Sequence, residues 1–170
     1  SPRKPFGLDG SIVKSDNFKN SPENINNPVV CYGRAKRVGY ISEDQIRTNR
    51  EWIDHWKVLT PYANNIGTEL NDDNQNAFVV SPNSVCSETY LSMGIGLNLD
   101  ETSAHHLVVY LKTKFARFLH AQSKISQHGT KNTYQFVPTL DLARDADIDW
   151  STDTEAVDEQ LFRHYALSEF

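Results

Sequence analysis

A chain of 170 residues with 38% hydrophobic and 23% charged positions has room for one domain around a modest core. No apolar run approaches the ~18 residues that span a bilayer and no signal-peptide core opens the sequence, so no membrane partner and a cytoplasmic location are expected. Two cysteines, Cys31 and Cys86, are too few and too far apart for a disulfide framework or a zinc site, and the net charge of −5 speaks against a uniformly basic surface.

Residues 1–27 are rich in Ser, Pro, Asn and Gly and read as an extended lead-in. Pro28 to Tyr32 predicts a short strand, Gly33 a turn, and Arg34 to Ile41 a returning strand, together a hairpin carrying Arg34, Lys36 and Arg37. Ser42 with Gln45 three residues on forms a capping box, and the helix it opens is expected to reach about His55. Lys57 to Ala63 predicts another strand. Asn64 to Asn76, with seven Asn or Asp, predicts a surface loop. Ala77 to Val80 and Val85 to Gly94 are strand-like, parted by the turn residues Ser81, Pro82 and Asn83.

A long helix is expected over about 101–123. Ala104, Leu107, Val108, Leu111, Phe115, Phe118 and Leu119 recur at the spacing of one buried face. Tyr134 to Val137 predicts a strand stopped by Pro138. Thr152 and Glu155 form a second capping box for a helix to about Tyr165, and Ser168 to Phe170 look like the start of a further helix in a longer parent. The order is irregular, so the expected class is α+β: short mixed or antiparallel strands packed with the long helix and the terminal helix. The expected organisation is a lead-in (1–27), a core (28–138) and an acidic linker with the terminal helix (139–170).

Charge is segregated along the chain. Ser103 to Pro138 holds five Lys or Arg, four of the six His, and no Asp or Glu. Residues 139–170 hold nine acids against two bases. A carboxylate-free helix and loop on an acidic chain predict a local electropositive face, which suits a polyanion, nucleic acid above all. Lys112, Lys114, Arg117, Lys124 and Lys131 are the candidate phosphate contacts there, with Arg34, Lys36 and Arg37 as a second group. Gln127 and His128 could read base edges. The acidic tail could equally be a solvated helix with its linker.

Catalytic patterns are weak. Gly94-Ile95-Gly96 follows a strand, but Leu97-Asn98-Leu99 intervenes before the helix, so a strand-end turn is expected, not a cofactor loop. His105 and His106 project about 100° apart on a helix and cannot share a metal from one face. No HxxxH, HExxH or CxxC pairing occurs, so no metal site is expected. Glu88, Asp141 and Asp145 are the candidates for a divalent-metal nuclease, none in a convincing pattern with a lysine. Neither Cys86 nor Ser87 sits on a nucleophile elbow. No catalytic residue is assigned. A protein-interaction module that docks the terminal helix is the third reading.

Several strings occur in a telling order: Lys4 to Leu8 (KPFGL), Trp56 to Val58 (WKV), Cys86 to Leu91 (CSETYL), Thr113 to Leu119 (TKFARFL), Lys124 to His128 (KISQH), Tyr134 to Pro138 (YQFVP), Asp158 to Phe162 (DEQLF) and His164 to Ser168 (HYALS). This run resembles the C-terminal region of restriction–modification adenine-specific DNA methyltransferases with an Eco57I-type methylase domain. The resemblance implies a bacterial or archaeal target-recognition portion that holds duplex DNA while a catalytic domain of the same parent chain methylates an extruded adenine. That domain would bind S-adenosylmethionine and carry an Asn-Pro-Pro-Tyr type motif. This chain has no Asn-Pro-Pro, so no cofactor is expected on it.

Overall fold

The computed structural model describes residues 1–63, 76–123, 131–143 and 146–167. Its class is α+β, as the order of periodicities predicts, with six short strands in two sheets and three α-helices among the described residues. In the first sheet β1 (Pro28–Tyr32) is central, antiparallel to β2 (Val38–Ser42) and parallel to β5 (Ser84–Cys86). In the second, β3 (Lys57–Pro61) is central and antiparallel to both β4 (Phe78–Val80) and β6 (Tyr90–Met93). The helices α1 (Glu101–Lys112), α2 (Lys114–Gln122) and α3 (Thr154–His164) follow.

The second sheet is a wall between two cores. Strand alternation sends Leu59 to one side and Val58 to the other. Leu59 packs with Phe6, Phe18, Val29, Cys31, Ile41, Val85 and Tyr90, a core between the sheets and the first residues of the chain. Val58 packs with Leu107, Tyr110, Phe115, Trp150, Val157 and Leu161, a core between the second sheet and the helices.

Both flanking segments belong to these cores. Phe6, Leu8, Val13 and Phe18 of the lead-in are buried, and so are Leu142, Ile148 and Trp150 between α2 and α3. The lead-in lies across the first hairpin because two glycines let it. A Cβ on Gly33 would stand 2.0 Å from Val13 Cγ1; one on Gly39 would stand 2.5 Å from the Phe18 ring and 2.6 Å from the Lys19 carbonyl oxygen. That carbonyl accepts from Tyr40 N at 2.8 Å, and Lys19 N donates back to Tyr40 O at 2.9 Å. Gly39→Ala must therefore displace backbone. The expected cost is about 2 kcal/mol in urea unfolding, and a loss below about 0.5 kcal/mol would mean that the 10–19 segment does not pack on the hairpin.

Several elements differ from expectation, each for a local reason. The long helix is two: Thr113 is extended (ψ 149°), closing α1 and capping α2. Residues 43–55 form only two 3₁₀ turns, Glu43–Gln45 and Arg50–Trp52. There Ser42 Oγ donates to Asn26 O at 2.7 Å instead of capping, and Asn49 is left-handed with its amide on Pro5 O at 2.6 Å. The returning strand starts at Val38, so Arg34 and Lys36 lie in the turn before it. A turn closed by Tyr90 N on Ser87 O at 3.1 Å breaks the 85–94 run into β5 and β6. Residues 131–134 form a 3₁₀ turn rather than leading into a strand, and the Tyr134 ring stacks on His120 with centroids 3.9 Å apart. Asp153, not Thr152, caps α3 through Ala156 N at 2.9 Å. The predicted loop at 64–76 and the further helix at 168–170 lie, but for Asn76, outside the described residues.

Candidate nucleic-acid interface

The β1–β2 hairpin closes on a tight turn. Gly33 N donates to Arg37 O at 2.8 Å and Arg37 N to Arg34 O at 3.4 Å. Between them Ala35 and Lys36 both have positive φ, 59° and 58°. The 34–37 turn thus has two adjacent left-handed central residues, a conformation that Asn and Gly adopt most easily. Alanine and lysine reach it against their preference, so the turn is strained at two adjacent residues.

Arg34, Lys36 and Arg37 are exposed on this turn. Arg37 is held: its Nη1 donates to Val13 O at 2.6 Å and its guanidinium lies 5.2 Å from the centre of the Phe18 ring. The segment that holds it brings two more exposed cations to the same end of the sheet, Lys14 at the close of the Gly10–Lys14 turn and Lys19 bridged to β2. Asp16, also exposed, is the acid between them. Neither lysine stands out in the sequence as a candidate, since the contacts that place them run through Gly33 and Gly39.

The helical group is less open than the sequence suggests. Lys114 and Lys131 are exposed and Lys112 is half-buried. Arg117 is only 7% exposed, with Nε donating to Thr113 O at 3.4 Å, so it faces the interior and not a surface ligand. Lys124, Gln127 and His128 lie outside the described residues. The face is not free of carboxylates in space either. Asp158 of α3, buried, accepts from Lys114 N at 2.8 Å and Phe115 N at 3.0 Å. It supplies two acceptors to the orphan donors at the start of α2 and a negative charge to the positive end of that helix. The hairpin trio and the helical group stand on different sheets and cores, with the second sheet between them.

Other candidates resolve into structural roles. Lys57 is fully buried; its ammonium donates to Ile53 O (3.1 Å), His55 O (2.7 Å) and Ser84 Oγ (3.2 Å), and burial holds its pKa down to about 8. Burial pushes the Cys31 thiol up to about 12 and raises Cys86 as well, so both stay protonated and unreactive near neutral pH. Glu88 pairs with Arg3 and Lys4 and accepts from Gly10 N, whereas Asp141 accepts from Ala143 N. The nuclease pair thus has separate partners, and Asp145 lies outside the described residues. Among the described residues no group of three His, Cys, Asp or Glu could hold a metal.

Gly94 turns left-handed at the end of β6, and a Cβ there would meet Leu99 at 2.4 Å and Leu107 at 3.0 Å. Leucines pack against Gly94, whereas Gly96 faces open space. Among the described residues no helix is long and apolar enough to cross a membrane. No protein-family model, curated protein or solved structure matches the chain.

Proposed function

We propose that this chain is the non-catalytic DNA target-recognition part of a restriction–modification adenine-specific DNA methyltransferase, at work in the cytoplasm of a bacterium or archaeon. It holds the duplex, and a catalytic domain of the same parent chain, with its S-adenosylmethionine, methylates the extruded adenine. The ordered strings from KPFGL to HYALS support the class of parent.

One observation carries the binding role. Arg34, Lys36, Arg37, Lys114 and Lys131 are exposed, and the ion pairs among the described residues engage none of them. On a chain with a net charge of −5, cations left without carboxylates are available to phosphates. Lysine and arginine set position and affinity; sequence is read by other side chains at base edges.

The test is binding of the chain to a mixed-sequence duplex across a salt series, without divalent metal. Expected is a linear fall of log affinity with log salt, with a slope of about −0.9 per phosphate contact. Affinity that is absent at low salt, or independent of salt, overturns the reading.

A further inference from the structure

We infer that the main duplex contact is the β1–β2 hairpin together with the 10–19 segment strapped across it, and not the helical face. The inference rests on the DNA-binding reading and deepens it by placing the phosphate contact on named residues.

Three observations point to this end of the molecule. Lys14, Lys19, Arg34, Lys36 and Arg37 come from two stretches of chain and converge there through the Val13–Gly33, Phe18–Gly39 and Arg37–Val13 contacts. All five are exposed, and Arg37 is already oriented by a carbonyl and a ring, which lowers the entropy a guanidinium gives up on meeting a phosphate. The tip is strained at Ala35 and Lys36, where a turn kept only for stability would carry Asn and Gly. The helical face offers less: Arg117 is buried and Asp158 lies against the backbone of Lys114.

The turn, with cations at its tip and along one flank of the sheet, suits the phosphates bordering a groove of duplex DNA. Arg34 and Lys36 approach at the tip, Lys14 and Lys19 along the flank, and Arg37 positions the turn between them.

The strain gives a test that separates binding from folding. Lys36→Gly relieves a left-handed residue while removing a cation. It should unfold at the same or higher urea concentration than the parent chain and bind a mixed-sequence duplex with a salt slope shallower by about 0.9. Ala35→Asn, which relieves strain without changing charge, should leave the slope unchanged. The joint replacement of Lys14, Lys19 and Arg34 by Gln should flatten the slope by about 0.9 for each phosphate no longer neutralised, more than the joint replacement of Lys112, Lys114 and Lys131 by Gln. If the helical triple flattens the slope and the hairpin variants do not, the hairpin assignment is overturned while the DNA-binding reading stands. If the parent chain itself binds no duplex at low salt, both fall.

Discussion

Replacing Asp158 by Ala should destabilise the protein by about 3 kcal/mol, the largest loss expected from any single polar side chain outside the strands. Both carboxylate oxygens are in use, one on Lys114 N and one on Phe115 N, at 2.8 and 3.0 Å. Truncation leaves two buried amide donors at a helix start without acceptors and removes the charge that opposes the helix dipole. It also uncouples α3 from α2, which together enclose Val157, Leu161 and Phe115. Asp158→Asn keeps one acceptor and should lose about half as much. Urea unfolding with an unchanged m-value measures both, and hydrogen exchange at Lys114 and Phe115 should accelerate in step. A loss below about 0.5 kcal/mol in the alanine variant would show that α2 starts without help from α3.

The second large effect depends on pH. Lys57 titrates near 8 in the folded protein against 10.5 for an unhindered lysine, because its ammonium is desolvated. Between those values the folded chain has released the proton and the unfolded chain still binds it. Stability contributed by this group therefore rises with pH across that window. The gap of about 2.5 units corresponds to on the order of 3 kcal/mol. Lys57→Met should thus be costlier near pH 10 than near pH 7, with the difference from the parent chain widening by up to that amount. Comparison at each pH is essential, since Cys31 and Cys86 act in the opposite sense. Their raised folded values contribute stability below the ordinary thiol range that is lost as pH climbs through it. A penalty for Lys57→Met that stays constant with pH would mean that its ammonium is solvated in the folded state.

Much of the architecture can be read from local pattern. Strands at Pro28–Tyr32 and Lys57–Pro61, the first helix over 101–112 and the terminal helix all follow from periodicity and punctuation. What local pattern misses is decided at a distance. Nothing near Thr113 announces a break; Thr113 Oγ1 takes Ala116 N, but the acceptors for Lys114 and Phe115 arrive from Asp158, 44 and 43 positions on. Ser42 has the spacing of a cap, yet its hydroxyl is claimed by Asn26 O, and β2 continues through it. The candidate site shows the same division. Arg34, Lys36 and Arg37 are contiguous and legible, whereas Lys14 and Lys19 join them through contacts that only the folded chain makes. Arg117 misleads because helical spacing alone does not say which side α2 turns inward once Thr113 has reset its axis.

The double-faced second sheet has a consequence for how the chain is born. Every buried member of the inter-sheet core lies between Phe6 and Tyr90, while the helical core draws on positions as late as Leu161. During synthesis the first compartment can close while the second sheet still shows Val58 bare to the surroundings. α1 covers that side next, and only when α3 emerges does the carboxylate arrive that caps the start of α2.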